Sequence, residues 1–332
     1  MHTFHIEPFT PAIGLRNAHA QTAAGGLLRR HDGVSFSRVR LNTPDGDFVD
    51  VDLAETNGRS PLNTSSHPPI VLLLHGLEGS ARRGYACETY RQLGQQGIRA
   101  AGLNYRSCSG EMNKTTRFYH AGATDDVDLA VKWLAKTFPD APIGLVGFSL
   151  GANLLLKYLG ECGKNSLVSV AVAVSPPFDL ALGAKVLANG NGRIYVPRFI
   201  KSLRQKVLAK QAQLAPLVDV SRIHKVRTLH QFDDWFTAPL HGFQNADDYY
   251  RQNSSAQFMP TIATPTLLLR ADDDPFFDQR DIPYAAINQN PCLFAGFSPH
   301  GGHVGFMGGQ WPLSPMWWAE RQAARFLAQF LM

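Results

Sequence analysis

The sequence predicts an α/β protein with a mostly parallel central sheet, helices on both faces and an inserted, mainly helical segment. Three observations predict it. Short continuous apolar runs recur along the chain with helical segments between them. Strands read this way when both faces of their sheet are covered, because every side chain then meets a helix. The run ending at Val174 and the run beginning at Thr266 are separated by a long stretch without strand character. Finally, a serine between glycines, Gly147-Phe148-Ser149-Leu150-Gly151, directly follows one of the apolar runs.

The bulk properties bound the answer. The chain has 332 residues, 44% of them hydrophobic and 18% charged, enough apolar material for one large domain spanning 1–332. Its 32 basic and 27 acidic residues are spread without a block of like charge. That pattern argues against a nucleic-acid stripe or a polybasic membrane patch. Four cysteines lie far apart with no C-x-x-C pair, against a zinc ribbon or disulfide scaffold and in favour of a reducing compartment. Glu7, Pro8 and Pro11 stand where a secretory signal would need an apolar run. No stretch reaches the ~18 consecutive apolar residues of a membrane span. The expectation is a cytoplasmic protein without stable membrane insertion.

The elements follow in order. Residues 1–33 read as a polar, glycine-rich lead-in. Residues 34–53 alternate in polarity around T-P-D-G-D at 43–47, an antiparallel hairpin turned by Pro and Gly. Residues 54–69 read as a loop. The buried strands are then Ile70–Leu74, Ile98–Leu103, Ile143–Val146, Val168–Val174, Thr266–Leu269 and Cys292–Phe294, with helices at 84–96, 123–137 and 150–160. The stretch 178–258 interrupts this alternation and is expected to form a cap over the site, since open α/β sheets bind ligands at the carboxyl ends of their strands. The segment from Ser314 to Met332 reads as a core-packing helix; Arg321 and Arg325 are too few cations for a membrane-surface helix.

Chemistry concentrates at those strand ends. A G-x-S-x-G pentapeptide between a strand and a helix is the pattern of a nucleophile elbow. Its glycines make room for a tight turn, and the helix aims its positive end at the serine. The strand Ile70–Leu74 runs into His75-Gly76-Leu77-Glu78-Gly79, where the backbone N–H of Leu77 can join that of Leu150 as an oxyanion donor. His75 reads as structural. A serine hydroxyl needs a base, and the base an orienting group; in chain order serine, acid, histidine is expected. The acids are Asp272, Asp273 and Asp274, the last just before Pro275. Two histidines, His300 and His303, compete as base; the glycines before His303 favour it by letting a loop carry it over the serine. Neither the acids nor the histidines have partners at metal-ligand spacing, so no metal and no cofactor are expected. Cys108 has no elbow or base around it and reads as structural. Arg82 and Arg83 read as a solvated helix start rather than a binding site for an anion.

These motifs together resemble the YheT-like branch of the α/β-hydrolase superfamily, which takes in bacterial proteins described as esterases, eukaryotic medium-chain ethyl-ester synthase/esterases and monoacylglycerol lipases. The resemblance runs through H-G-L-E-G-S at 75–80, N-Y-R-S-C-S-G-E at 104–111 and Y-H-A-G-A-T-D-D at 119–126. It continues through G-F-S-L-G-A-N at 147–153, S-P-P-F-D-L at 175–180, D-D-P-F at 273–276 and H-G-G-H-V-G-F at 300–306. It implies the α/β-hydrolase fold and puts Ser149, Asp274 and His303 on the charge-relay positions; the choice of Asp274 over Asp273 rests on it. It also implies a small-molecule carboxylic ester of short or medium acyl chain as substrate. The family's early N-P-H-L-Q-T element stands here as Asn17-Ala18-His19-Ala20-Gln21-Thr22, with two departures. His120 and Asp125 match a pair proposed in the family as an acyltransferase signature; a capping or loop-tethering role suits them better. Acyl transfer to an alcohol is the rival enzyme class, and a non-catalytic hydrolase-fold binding protein the rival outside enzymes, although that one should have lost the serine, acid or histidine.

Overall fold

A computed structural model describes residues 3–56, 67–310 and 314–332. The chain opens with helix α1 (Ala18–Leu27), a correction to the featureless lead-in expected over 1–33. Its ten residues include six Ala or Gly and only one Leu, so the sequence shows no apolar stripe for it. The hairpin follows as β1 (Ser35–Asn42) and β2 (Phe48–Glu55). The expected loop at 54–69 falls mostly outside the described residues. Then come β3 (Ile70–Leu74), α2 (Gly84–Gln95), β4 (Arg99–Asn104), α3 (Thr124–Thr137), β5 (Ile143–Phe148), α4 (Leu150–Cys162) and β6 (Val168–Val174).

After β6 the chain leaves the sheet for a helical segment that includes α5 (Leu180–Asn189), α6 (Val196–Ala209) and a short helix, Ala246–Asn253. It returns as β7 (Thr266–Ala271) and β8 (Leu293–Ser298). A small hairpin, β9 (Met307–Gln310) and β10 (Ser314–Trp317), was not legible beforehand; the C-terminal helix Trp318–Leu331 begins only after it.

The main sheet has eight strands in the order β1-β2-β4-β3-β5-β6-β7-β8. β1, β2 and β4 pair antiparallel, and β4 through β8 pair parallel. β3 and β5 are buried at every residue because helices cover both sides. On one face Leu72, Leu74, Leu145, Ala171 and Leu268 pack with Val131 and Leu134 of α3 and Leu155 of α4. On the other, Val71, Leu73, Val146, Val172 and Leu267 pack with Tyr90 of α2 and Phe326 and Leu327 of the C-terminal helix. The helical segment after β6 has a core of its own, built from Leu187, Val196, Ile200, Leu203, Val207, Phe232 and Phe236, which meets Phe276 and Phe277 beyond β7. Among the described residues no helix is long and apolar enough to cross a membrane.

Candidate active site

The expected serine, acid and histidine reach one point from three strand ends. Ser149 follows β5 directly and has φ 54° and ψ −119°. Gly147 and Gly151 make the turn possible: a Cβ on Gly147 would lie 2.4 Å from the Gly151 carbonyl oxygen, and one on Gly151 2.2 Å from that of Leu74. Asp274 follows β7. Its side chain is fully buried; Oδ1 accepts from the Phe276 N–H at 2.8 Å, and Oδ2 lies 2.9 Å from His303 Nδ1. His303 Nε2 lies 2.9 Å from Ser149 Oγ. With Asp274 ionised, Nδ1 carries the proton and donates to it, so Nε2 is bare and accepts from the serine hydroxyl. Phe276 lies parallel to the imidazole, with ring centroids 3.9 Å apart and planes within 9°.

The alternatives stand elsewhere. Asp273 Oδ1 accepts from the Gly302 N–H at 2.8 Å, and its Oδ2 lies 3.3 Å from His300 Nδ1. That pair, both partly exposed, fastens the outside of the histidine loop. Asp272 has neither contact and its carboxyl is raised by burial and by neighbouring Asp273. Leu77 and Leu150 both border the cavity in front of Ser149, and no hydrogen bond occupies their backbone N–H groups among the described residues. Gly76 brings the first of them close: its Cα position would set a Cβ 3.3 Å from Ser149 Cβ.

Backbone strain gathers here. Glu78, Ser149, Ser175, Val304 and Phe306 all have φ between 47° and 54°. Such conformations are uncommon in non-glycine residues and an outlier for β-branched valine. They persist only where surrounding contacts hold them, commonly at functional sites.

The cavity measures about 580 Å³. Besides the strand ends, its walls include Tyr195, Phe199, Phe232, Tyr249 and Tyr250 from the helical segment, with Phe276 and Phe277. Other aromatics of 178–258 stand apart from it: Phe178 and Phe236 are fully buried in packing, and Trp235 does not line the cavity but sits under Arg222. Two carboxylates border the space, and both are engaged. Glu78 accepts from Tyr119 Oη at 2.6 Å, from Lys206 Nζ at 2.8 Å and from Ser202 Oγ. Asp233 accepts from Thr237 Oγ1 at 2.6 Å and from Tyr250 Oη at 2.7 Å, and burial pushes it up to about 6.

Other singled-out residues are also placed. His75 is buried, packs at a tilt against Tyr105 and directs Nδ1 at the Gly76 carbonyl; burial lowers it to about 3. Cys108 lies 3.3 Å from Lys206 Nζ, its thiol pushed up to about 11 by burial, which suits no nucleophile. His120 and Asp125 do not form a pair. His120 is buried, accepts from the Gly122 N–H and packs on His241 and Tyr249, while Asp125 is exposed and bound to Arg117. Arg82 pairs with Asp52, whereas Arg83 borders the cavity. Among the described residues no group of three His, Cys, Asp or Glu could hold a metal ion.

Comparison with known proteins agrees with this architecture. Residues 65–289 match the family model described as serine aminopeptidase, S33. YheT of Escherichia coli (strain K12) is 36% identical, over 97% of this chain and 94% of its own. The monoacylglycerol lipase of Saccharomyces cerevisiae is 31% identical over 95% of this chain and 77% of its own. Phospholipase ABHD3 of Mus musculus is 27% identical over 92% and 75%. Among solved structures, the esterase Pf2001 of Pyrococcus furiosus superposes with a TM-score of 0.58 over 100% of both chains at 16% identity, a likeness of fold. With a nucleophile-elbow turn at the end of a central parallel strand and a relative this similar over nearly its whole length, the chain belongs to the serine aminopeptidase S33 family of α/β-hydrolases, in its YheT-like branch, and is a serine hydrolase.

Proposed function

We propose that the enzyme cleaves carboxylic esters through an acyl-enzyme on Ser149, with His303 as general base, Asp274 as its orienting acid and the N–H groups of Leu77 and Leu150 as the oxyanion hole. The single observation that carries this reading is the unbroken line from Asp274 Oδ2 through the imidazole to Ser149 Oγ, at 2.9 Å on each side. Ser149 Oγ attacks the ester carbonyl as Nε2 takes its proton. The oxygen that becomes negative faces two N–H groups and the N-terminal end of α4, whose dipole favours it. The imidazolium returns the proton to the leaving alcohol, and a water activated by the same Nε2 releases the acid. No cofactor enters these steps.

An ester suits the cavity better than a peptide with a free α-amine. Such an amine needs an unspent carboxylate near the serine, and Glu78 and Asp233 are both committed to side-chain partners. The helical stretch 178–258 is a cap whose aromatic side chains line the acyl side, for short to medium chains. Four free cysteines favour a reducing, cytoplasmic setting. The same acyl-enzyme could pass to an alcohol instead of water, but no assembled His120–Asp125 pair favours that route. The test is labelling with a fluorophosphonate, followed by p-nitrophenyl esters of increasing acyl length. Labelling on a residue other than Ser149, or no ester turnover by a labelled enzyme, would defeat the reading.

A further inference from the structure

The segment Asn17–Thr22 carried part of the family resemblance but no role. In the structure it is the start of α1, and two of its side chains, those of Gln21 and Thr22, hold the loop that carries His303, while His19 turns to Tyr195. Asn17 caps the helix, its Oδ1 accepting from the N–H groups of His19 at 2.9 Å and Ala20 at 3.1 Å. Gln21 is completely buried. Its Nε2 donates to the carbonyls of Leu15 at 2.8 Å and Met307 at 3.0 Å, and its Oε1 accepts from the Met307 N–H at 2.7 Å. Further along, Arg29 Nη2 donates to the Gly305 carbonyl at 2.9 Å while its Nε pairs with buried Glu320 at 2.7 Å.

Thr22 touches the base itself. Its hydroxyl donates to the Ala18 carbonyl at 2.8 Å, and the same oxygen accepts from the backbone N–H of His303 at 2.9 Å. The helix also explains two glycines of the loop, Gly302 and Gly305. A Cβ on Gly302 would lie 2.3 Å from the Ala18 carbonyl oxygen and 2.7 Å from Thr22 Oγ1. One on Gly305 would lie 2.6 Å from the Gln21 carbonyl oxygen. The glycines admit α1 against the loop; reach alone would not require them at both places.

The loop needs such a hold. Val304 and Phe306 have φ of 54° and 47°, conformations that relax unless neighbours fix them. From the sheet side the Ser175 hydroxyl accepts from Val304 N–H at 3.2 Å, Asp273 from Gly302 N–H and Ser298 Oγ from His300 N–H at 3.4 Å, which leaves the His303 N–H itself to Thr22. We propose that α1, acting through Thr22 and Gln21, is a positioning element for the general base: it sets the His303 backbone so that the imidazole spans Asp274 and Ser149. Thr22 and Gln21 are positioning residues, not catalytic ones. The inference rests on the reading of His303 as base.

A series at Thr22 tests it, because a hydrogen-bond role and a packing role rank the variants in opposite order. Thr22→Ser keeps the acceptor and loses the methyl; Thr22→Val keeps the shape and loses the acceptor; Thr22→Ala loses both but leaves room for a water. The expected order of kcat on a p-nitrophenyl ester is Thr22→Ser near the parent, Thr22→Ala lower, and Thr22→Val lowest, down roughly 10- to 100-fold from a misplaced base and an unpaired N–H. KM should hardly move, and the rate of fluorophosphonate labelling should fall in the same order as kcat. If Thr22→Val is the mildest of the three, or if it lowers the melting temperature while kcat stands, α1 is packing and the proposal is overturned. Should Thr22→Val not accumulate as folded protein, the pair Thr22→Ser and Thr22→Ala decides: equal kcat in both overturns it. His303→Ala, run alongside, separates the two failures. An active His303→Ala enzyme removes the base assignment itself, and the positioning role with it.

Discussion

The floor and the roof of the site are built on different principles. The floor is made of strand ends: the Gly76–Glu78 turn after β3, Ser149 after β5, Ser175 after β6 and Asp274 after β7. Its groups meet through hydrogen bonds of 2.9 Å and strained backbone. The roof is the helical segment after β6, where Phe199 and Phe232 offer apolar area and the polar groups are spent on partners, Tyr195 on His19 and Asp233 on Thr237 and Tyr250. Changes in the floor should therefore act on kcat through chemistry, and changes in the roof on which acyl group is preferred.

The largest expected effect is in the floor. Ser149→Ala and His303→Ala should each lower kcat by ~10⁴ to 10⁶ and agree with each other, because members of a triad act as a unit. His300→Ala should lose far less, since the His300 imidazole meets Asp273 across the outside of the loop. Melting temperatures near the parent's would show that the losses are chemical. The reverse ranking of the two histidines would move the base to His300.

Next come the neighbouring acids, which sharpen the comparison within one loop. Asp274→Asn leaves an amide where the imidazole needs an acceptor that fixes its tautomer, and should cost ~10⁴ in kcat. Asp273→Asn keeps an acceptor for the Gly302 N–H and loses only charge beside His300, so its loss should be intermediate. Asp272→Asn, with no such contact, should be mild. A dead Asp273→Asn beside a fully active Asp274→Asn would reassign the acid.

The floor was also far more legible than the roof. β3 and β6 can be bounded from sequence to the residue, because an unbroken apolar run between polar turns has few other readings. The elbow could be located because glycine, serine and glycine at fixed spacing answer local sterics. What stayed hidden depends on contacts between distant segments. α1 has a buried face made of Gln21, Ala24 and Gly25, which no hydrophobic periodicity would reveal. The hairpin of β9 and β10 has two glycines and a proline among its eight residues, a composition that argues for a turn. The side chain of Trp235 gave no sign that it would face Arg222 and not the cavity. The likeness of residues 17–22 to a family element singled out the segment without indicating a helix.

Titration offers a third contrast, since the two sides respond to acid in opposite senses. In the floor, burial lowers His75 to about 3 from 6.5. The folded state refuses a proton that the unfolded chain accepts, so this share of stability is complete above 6.5 and is lost as the pH falls below it. By pH 5 the loss should reach about 2 kcal/mol. In the roof, burial raises Asp233 to about 6 from 3.8, so its neutral form is favoured and its contribution grows as the pH falls through that range. His75→Phe, which keeps a ring against Tyr105, should flatten the fall in stability between pH 7 and pH 5; Asp233→Asn should steepen it. Denaturant unfolding at the two pH values checks both, and unchanged slopes would mean that neither group titrates with folding.

The smallest effect tests the roof directly. Each methylene of an acyl chain that leaves water for an apolar wall is worth ~0.8 kcal/mol, or about fourfold in kcat/KM. In p-nitrophenyl esters of increasing length, kcat/KM should rise by such steps until the space beneath the roof is full, then fall. Phe199 is the residue to cut, because it lines the cavity, is only partly buried and meets Phe276 edge-on, so its loss leaves no large hole in a core. Phe199→Ala should move the optimum to a longer chain while kcat on the acetyl ester stays near the parent's. Trp235→Ala is the control. It packs beside the same core without bordering the cavity, and should lower the melting temperature and leave the optimum where it was. A profile that is flat with chain length, or one that both variants shift alike, would mean that the roof excludes water without measuring the acyl group.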